Sequence, residues 1–388
     1  MQPGKSSRRV AFVYDELLAR DIFRPDHPLK PARVRYLYEL LVAYGVFDGV
    51  SRWVVSPQPA TEEHILAVHS PDYVDIVRRY DREKRVPEHA LARYGITRYG
   101  DTPPFEGMYD YALLVCGASL EAARLVVEKQ AEVAFNAAGG VNHHAHRNYA
   151  SGFGIFNDAA VAIAWLLQQG HRVAYVDIDV HHGDGVEAIF EDDNRVLTIS
   201  LHESTRSLFP GPRGGFAENI GTGRGTGFAV NVPLAPATDD ETWLWAFDQV
   251  VPPLLGAFKP DVLVTQLGVD THFRDPLAHL QLTTHGFAAA VERLAALSPG
   301  RWVALGGGGY HVPTAVRAWA LAYGSMAGIL LPDEVPATYC ARYPEIAYLH
   351  DREQPRLDPV LQRHVRAFAE QSVATVKRLV FPVHGLPS

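Results

Sequence analysis

The sequence predicts an α/β fold with a central, mostly parallel sheet flanked by helices. Short runs rich in Val and Ile alternate with longer amphipathic segments, which is the pattern of strand–helix alternation. Several of the short runs are almost continuously apolar, as is typical of parallel strands that are buried on both faces. Acidic, histidine or tyrosine residues follow several of these runs, at the sheet edge where α/β folds form their sites.

Apolar runs predict seven strands, which are Val10–Tyr14, Glu132–Asn136, Val173–Asp177, Val196–Leu201, Ala229–Pro233, Val262–Leu267 and Trp302–Gly306. Helices are predicted at Pro31–Tyr44, from Pro71 onward, at Tyr109–Lys129, from Asp158 to Gly170, and at Asp239–Phe258, His285–Leu297, Pro313–Leu330 and Pro359–Leu379. Ser70 and Asn157 stand where N-caps are expected, and Gly170 supplies a left-handed stop.

The 388 residues contain no internal repeat and no low-complexity linker, so a single domain spanning 1–388 is expected. Its core is predicted at about residues 10–331, and a helical extension at about 332–388 either packs on the domain or supports oligomerisation. Two loop-rich stretches, Val86–Glu106 and Glu203–Gly227, are long enough to shape a binding site.

Composition and charge exclude several classes of protein. A net charge of −8 provides no global field that would recruit nucleic acid. The longest apolar stretch, Trp319–Leu331, is too short to span a bilayer, and the N-terminus lacks the pattern of a signal peptide. The two cysteines, Cys116 and Cys340, argue against a disulfide framework. We therefore expect a soluble, cytoplasmic protein without nucleic-acid or membrane partners, and its oligomeric state stays open.

Three residues near two strand ends have the composition of a metal site. Asp179 and His181 are two positions apart, so in an extended chain their side chains point the same way. Asp270 follows another predicted strand and completes a set of one histidine and two carboxylates, which suits Zn²⁺ but also Fe²⁺, Co²⁺ or Mn²⁺. Each residue alone has a structural explanation, as a helix cap or a buried histidine. Together they indicate a hydrolytic metal centre with a coordination position left for water.

His143 and His144 follow a Gly-Gly turn and suit proton transfer beside a metal-bound water. Each would need a carboxylate on its far ring nitrogen, and Asp177 and Asp184 flank the predicted ligand pair. The alternative is that both histidines lie on the surface.

Tyr310 follows the four glycines of Gly306–Gly309. A P-loop is disfavoured there because no Lys-Ser/Thr pair follows. The tyrosine hydroxyl could donate to an oxyanion that forms at the metal, and a flexible loop is the alternative.

With these segments in place, the chain resembles the zinc-dependent histone deacetylase family, especially bacterial acetoin-utilisation-type deacetylases. The matching motifs are GDTPPFEGMYDYA (100–112), HHAHRNYASGFGIFNDAA (143–160), YVDIDVHHGDGVEAIF (175–190), SLHES with FPG (200–211), QLGVDTHFRDPLAHLQLT (266–283) and LGGGGYH (305–311). The resemblance implies the arginase-like three-layer fold with an eight-stranded sheet, one strand more than the apolar runs predict.

The resemblance also implies a role for each matching residue. Asp179, His181 and Asp270 would ligate Zn²⁺, with Tyr310 as the oxyanion donor. His143 and His144 would share the general base and general acid work, with the assignment between them open, and Asp177 and Asp184 would orient them. A potassium ion is expected as well, held by the region of Asp177, Asp179 and His181 together with Ser200 and Leu201.

A channel for the acetyl-lysine side chain is implied in the same way. Phe153 and Phe209 would sandwich the lysine stem, and the Gly152 carbonyl would accept the amide N–H. Leu277 would line the channel wall, where an apolar residue favours a neutral stem over a polyamine cation. Asp101 would hold the substrate backbone at the rim, although it also suits a turn aspartate. Arg33 matches an arginine near an internal region for acetate release.

One departure from the family pattern falls directly before the histidine pair. The family usually has one residue between Gly-Gly and His-His, whereas this chain has two, Val141 and Asn142. An extra residue there is expected to shift His143, and small shifts of catalytic groups affect rates strongly. His311, after the tyrosine, is a milder variation.

The predicted function is hydrolysis of Nε-acetyl-lysine in proteins to lysine and acetate, with acyl-CoA synthetases among the protein substrates that the resemblance suggests. A hydrolase of small acetylated amines, such as acetylpolyamines, is the alternative, and a non-catalytic acyl-lysine sensor is a third possibility. An arginase-type two-metal enzyme is disfavoured because Gly183 stands where a further carboxylate ligand would be needed.

Overall fold

The computed structural model describes residues 8–83 and 86–388. Its eight strands are β1 Val10–Val13, β2 Arg52–Val55, β3 Val133–Asn136, β4 Val173–Asp177, β5 Val196–Glu203, β6 Ala229–Leu234, β7 Val262–Gln266 and β8 Trp302–Leu305. They form one sheet in the order β2-β1-β3-β8-β7-β4-β5-β6. All seven strand pairings are parallel. The predicted α/β fold is therefore confirmed, with an entirely parallel sheet.

The count of seven strands made from apolar runs is wrong, because it lacks β2. This strand has the sequence Arg-Trp-Val-Val at the edge of the sheet and is only half-buried. The apolar-run criterion detects strands that are covered on both faces, and an edge strand beginning with arginine does not meet it. The eight strands that the family resemblance implied are all present.

Twelve helices cover the two faces of the sheet among the described residues. They are α1 Arg33–Ala43, α2 Glu62–Leu66, α3 Pro71–Glu83, α4 Glu88–Ala92, α5 Met108–Val127, α6 Asp158–Gln168, α7 Asp184–Phe190, α8 Asp240–Phe258, α9 Thr284–Leu297, α10 Val312–Ala327, α11 Ala337–Cys340 and α12 Pro359–Leu379. The predicted cap at Asn157 is present, since its side chain accepts a hydrogen bond from the Ala160 N–H. Within the described ranges, no helix is both long and apolar enough to cross a membrane.

Two hydrophobic clusters, one on each face, hold the sheet between the helices. One contains Trp302 of β8 with Trp319 and Tyr323 of α10, all fully buried. The other contains Tyr175 of β4 and Phe156, which precedes α6. Burial of large aromatic side chains on both faces explains why most strands read as continuous apolar runs.

The C-terminal segment lies against the main body of the fold. Helix α12 packs on β6 and α8, where the Ser372 hydroxyl donates to the Pro233 carbonyl over 2.7 Å. Upstream of it, Asp351 is buried and accepts hydrogen bonds from His272 and Thr284. The single-domain organisation stays a prediction, although this segment contributes buried polar contacts to the body of the sheet.

All carboxyl ends of the parallel strands meet at one edge of the sheet. The central strands β3, β8, β7 and β4 are neighbours in that order. The loops after these four strands carry the histidine pair, the glycine turn with its tyrosine, and the predicted metal ligands. Segments as far apart as residues 143 and 310 are therefore brought to one place by the strand order.

Candidate metal-dependent active site

Asp179, His181 and Asp270 converge as predicted. One ligand atom from each lies within 4.8 Å of the others, and all three residues are buried. His181 Nδ1 lies 3.1 Å from Asp179 Oδ1 and 3.1 Å from Asp270 Oδ2. The chain bends at these residues after β4, and Asp179 Oδ1 accepts from the His181 N–H over 3.0 Å, so the two side chains meet through a turn and not through the extended chain that was predicted.

Neighbouring groups orient the two carboxylates. Asp179 Oδ2 accepts from Gln266 Nε2 over 2.6 Å and from the Gly308 N–H over 2.8 Å. Asp270 Oδ1 accepts from the Val180 N–H over 3.0 Å. A side chain at Gly308 would overlap both carboxylates, so this glycine is required by the close approach of the turn to the site.

These three residues fit a divalent cation such as Zn²⁺. Tetrahedral Zn²⁺ with bonds of about 2.0–2.2 Å places its donor atoms about 3.4 Å apart, close to the 3.1 Å separations observed. Burial, together with the charge of Asp179, raises the pKa of Asp270, because two buried carboxylates repel each other. A bound cation would relieve this repulsion. The donor set does not select among Zn²⁺, Fe²⁺ and Co²⁺.

His143 forms the more deeply buried of two histidine–aspartate pairs. Its Nδ1 lies 2.8 Å from Asp177 Oδ2, and its Nε2 lies 3.9 Å from Asp179 Oδ1. The Tyr175 hydroxyl also donates to Asp177 Oδ2 over 2.6 Å. Burial opposes protonation of His143, but the charges of Asp177 and Asp179 outweigh it and raise the pKa of His143 to about 9.

His144 forms the second pair, with its Nδ1 2.6 Å from Asp184 Oδ1. The other oxygen of Asp184 lies 3.1 Å from His146 Nε2. Burial and the adjacent His143 lower the pKa of His144 to about 3, so this ring is neutral over the physiological range.

The extra residue before His143 lies within a 3₁₀ segment, Val141–His144, that is kinked at Asn142. Asn142 is half-buried, and its Nδ2 donates to Asp158 Oδ1 over 2.8 Å. Asp158 also accepts from the Gly140 N–H, so it anchors both ends of the insertion. Both histidines reach their predicted aspartates from this turn.

Tyr310 emerges from the glycine turn beside the candidate metal ligands. Burial and the charges of Asp270 and Asp179 raise the pKa of Tyr310 well above its usual value, which keeps the hydroxyl protonated and able to donate. Arg33 lies against this turn. Its guanidinium donates to the Gly307 and Gly309 carbonyls, each over 2.6 Å.

Phe153 and Phe209 approach the site from different loops. The Phe153 ring meets that of Tyr310 edge-on at 5.6 Å, and the Phe209 ring meets that of His144 at 4.8 Å. Phe153 has a φ of 71°, a left-handed conformation that is uncommon outside glycine and often found at functional sites. Gly152 precedes it with a φ of 55°, and a side chain there would overlap the His144 ring.

Asp101 is exposed and lies beside the loop that carries Gly152 and Phe153. Its Oδ2 accepts from the Gly152 N–H over 3.1 Å, and its Oδ1 accepts from the Thr102 hydroxyl over 3.2 Å. Both contacts leave lone pairs for a further donor. Asp101 therefore joins its own loop to the loop that carries Phe153.

The remaining predicted residues lie in adjoining segments. Leu277 is half-buried, and its N–H donates to Asp275 Oδ1 over 3.0 Å. Ser200 and Leu201 are buried on β5, where Ser200 is the register partner of Asp177 on β4. The Ser200 hydroxyl contacts His202 Nδ1 at 2.8 Å.

Three polar residues that contact the site were not predicted from the sequence. Gln266 ends β7 and bonds Asp179, Tyr175 bonds Asp177 within β4, and Asp275 bonds the backbone of Tyr310. Gln266 had a detectable signal, since it is an amide at the end of an apolar strand. Tyr175 and Asp275 had none, because their roles depend on tertiary neighbours.

A large cleft opens beside Phe209. Its volume is about 750 Å³, and it lies between α7 and residues 209–222. Its walls combine apolar groups, such as Tyr149 and Pro210, with the carboxylates of Glu191 and Glu218. Arg213 also lines the cleft, so it offers room and an excess of carboxylates over this one guanidinium next to the site.

Comparison with known proteins shows which family the chain resembles. The family described as "Histone deacetylase domain" matches residues 27–326. Acetoin utilization protein AcuC of Bacillus subtilis is 38% identical over 343 residues, covering 87% of each chain. Histone deacetylase clr6 of Schizosaccharomyces pombe is 35% identical over 335 residues, covering 86% of this chain and 80% of its own. The crystal structure of an HDAC homolog from Aquifex aeolicus has a TM-score of 0.84 and 30% identity, covering 94% of this chain and 100% of its own.

Proposed function

The chain belongs to the histone deacetylase family of hydrolases, and we propose that it hydrolyses the Nε-acetyl-lysine amide in proteins, releasing acetate and lysine. One observation carries the proposal. A buried Asp-His-Asp cluster, two histidine–aspartate pairs and a protonated tyrosine lie together at the carboxyl edge of the sheet. Such a combination suits attack by water on an amide carbonyl.

Asp179, His181 and Asp270 are the proposed ligands of the metal, with Zn²⁺ as the first candidate. When bound there, the cation would supply Lewis-acid chemistry, polarising the acyl oxygen and acidifying a water molecule. A potassium ion is proposed near Asp177 and its register partner Ser200. Its charge would offset that of the neighbouring carboxylates.

Proton transfer is assigned to the Nε2 atoms of the two histidines, because both Nδ1 atoms contact carboxylates. His144 is neutral and is proposed to take a proton from the attacking water. The protonated Tyr310 hydroxyl is proposed to stabilise the tetrahedral oxyanion by donating to it. The C–N bond then breaks as a proton reaches the leaving amine, so that amide and water give acetate and amine.

Phe153 and Phe209 are the proposed walls of the channel for the lysine stem, with the Gly152 carbonyl as acceptor for the amide N–H. Leu277 is proposed to keep the wall apolar, and Asp101 is proposed to hold the substrate backbone at the rim. The cleft of about 750 Å³ beside Phe209 supports a polypeptide substrate, since it has room for residues that flank the acetyl-lysine.

A second candidate is hydrolysis of small acetylated polyamines. The carboxylates of Glu191 and Glu218 in the same cleft favour it, because they would attract a second ammonium group. The apolar Leu277 favours the peptide instead. The cytoplasmic location predicted from the sequence stays a prediction.

The deciding experiment compares acetate release from an acetyl-lysine peptide and from acetylspermidine, using the Zn²⁺-reconstituted protein. We expect turnover of the peptide with a kcat/KM at least about tenfold higher, which corresponds to about 1.4 kcal/mol of transition-state binding. Preference for acetylspermidine would assign the protein to polyamine hydrolysis. Absence of turnover on both, with metal bound, would contradict the proposal. Acetylated acyl-CoA synthetases are the first protein substrates to test.

A further inference from the structure

The position of Tyr310 depends on restraints outside its own turn. The four preceding residues are glycines, and Gly307 and Gly309 have φ angles of 104° and 126° that only glycine adopts readily. Glycine backbones lose the most conformational freedom when they are fixed, so this turn has little intrinsic rigidity. Among the described residues, the Tyr310 hydroxyl has no hydrogen-bond partner that would hold the ring.

Two buried charged residues hold the turn from opposite sides. Arg33 donates to the Gly307 and Gly309 carbonyls from below. Asp275 accepts from the other side, where its Oδ2 lies 2.7 Å from the Tyr310 nitrogen and 3.4 Å from the His311 nitrogen. Arg33 thus pairs with backbone carbonyl groups and Asp275 pairs with backbone N–H groups, which matches the polarity of the backbone.

Asp275 also reaches the proposed channel wall. Its second oxygen accepts from the Leu277 N–H over 3.0 Å, so one carboxylate contacts both the tyrosine turn and the wall. Asp275 is only 8% exposed, and an uncompensated N–H in such a place is costly. An asparagine would present an NH₂ group to one of these N–H donors, so only a carboxylate satisfies all of them.

We infer that Asp275 is a positioning residue, which fixes Tyr310 as the oxyanion donor and aligns it with Leu277. This inference rests on the proposed function for its catalytic consequence. Asp275 lies five residues after the ligand Asp270, so the same short segment carries a metal ligand and the anchor of the tyrosine. The placement of Tyr310 relative to the proposed metal is therefore set by this segment together with the Gly308 N–H, which bonds Asp179.

The segment is itself fixed to the body of the fold. The Asp275 N–H donates to the His272 carbonyl over 2.8 Å. His272 Nε2 lies 2.8 Å from Asp351 Oδ2, and Asp351 Oδ1 accepts from Arg317 on α10 over 2.8 Å. Because α10 begins directly after the tyrosine turn, these contacts close a loop from Asp275 back to Tyr310.

A double-mutant cycle tests the inference. Asp275→Asn is expected to lower kcat about 10- to 100-fold while KM stays within about threefold, because oxyanion donation acts on the transition state. In a Tyr310→Phe background, the same substitution should change kcat by less than about threefold, since the hydroxyl it positions is gone. Additive losses in the double variant would overturn the inference and leave the deacetylase proposal standing.

Asp48→Asn is the matched control. The Asp48 carboxylate accepts from the backbone N–H groups of Val50, Ser51 and Arg52 at the far edge of the sheet. The Asp48→Asn substitution should affect stability without changing the kcat of the folded protein. If Asp275→Asn folds poorly, Asp275→Ser, whose hydroxyl can accept one N–H, replaces it in the cycle.

Amide hydrogen exchange provides a readout that does not depend on activity. The Tyr310 and His311 amides should exchange at least about tenfold faster in Asp275→Asn than in the wild type, while β8 amides stay protected. Unchanged exchange at both amides would overturn the anchor even if the enzyme turned over no substrate. Wild-type turnover by Tyr310→Phe would instead contradict the role proposed for the tyrosine hydroxyl.

Discussion

The two histidine–aspartate pairs have the same residue types and similar distances, yet they differ in proton affinity. His143 Nδ1 lies 2.8 Å from Asp177, and His144 Nδ1 lies 2.6 Å from Asp184. The pKa of His143 is raised to about 9, whereas the pKa of His144 is lowered to about 3. The aspartate partner therefore does not decide the protonation state by itself.

Groups other than the aspartate partners account for the difference in pKa between the two histidines. Both rings are buried, which disfavours the charged form of each. His143 additionally faces the carboxylate of Asp179, 3.9 Å from its Nε2. His144 instead lies against the His143 ring at 4.0 Å and the Phe209 ring at 4.8 Å, and its aspartate is shared with His146. One histidine gains a second negative neighbour, while the other gains a positive and an apolar one.

The two rings are therefore suited to different catalytic roles. A neutral His144 can accept a proton, which is what a general base requires. His143 owes its raised pKa partly to Asp179, a proposed metal ligand, so a bound dication would weaken that effect. The contrast between the pairs should therefore be largest in the metal-free protein.

The largest expected effect comes from disrupting the proposed metal site. Asp270→Ala deletes one of three proposed ligands and should abolish stoichiometric Zn²⁺ binding, with a loss of at least about 10³-fold in kcat/KM. Metal content by mass spectrometry and acetate release measure the two effects. Retention of a full equivalent of zinc would remove Asp270 from the ligand set.

The next effect separates the two histidines directly. His144→Ala should lower kcat about 10²- to 10⁴-fold, and His143→Ala should lower it less, because His144 is the proposed general base. Both variants are compared at saturating peptide and equal zinc content. Equal losses, or a larger loss for His143→Ala, would assign the base to the other ring.

The smallest effect concerns stability of the metal-free protein against pH. The folded pKa of His143, about 9, exceeds its ordinary value, so its contribution is complete below about pH 6.5 and is lost as the pH rises toward 9. The folded pKa of His144, about 3, is below its ordinary value, so its contribution is lost as the pH falls below about 6.5.

Urea unfolding at pH 5, 7 and 9 measures both contributions. His143→Gln should remove roughly 1–3 kcal/mol of the alkaline loss, and His144→Gln should remove a similar part of the acid loss. Identical pH profiles for the two variants would mean that the contrast between the pairs does not exist in solution.

Much of the fold was predictable because strand burial leaves a local signal. Seven strands and the capped helices follow from apolar runs and cap residues, as at Asn157 before α6. Strand β2 was not predictable in this way, since an edge strand that begins with arginine has no continuous apolar run. At the site, the histidine and carboxylate positions were predictable from their places at strand ends and from the family motifs. Tyr175 and Asp275, which bond Asp177 and the Tyr310 backbone, were not predictable from the sequence.

The sequence by itself determined which chemical groups stand at the strand ends. Only the tertiary structure decided how those groups behave. The raised pKa of His143 arises from aspartates 34 and more positions away along the chain, the lowered pKa of His144 arises from burial and from His143 beside it, and the anchoring of Tyr310 by Asp275 spans 35 positions. Burial and charge act through space, so their effect on a residue is fixed only once the sheet order has brought distant segments together.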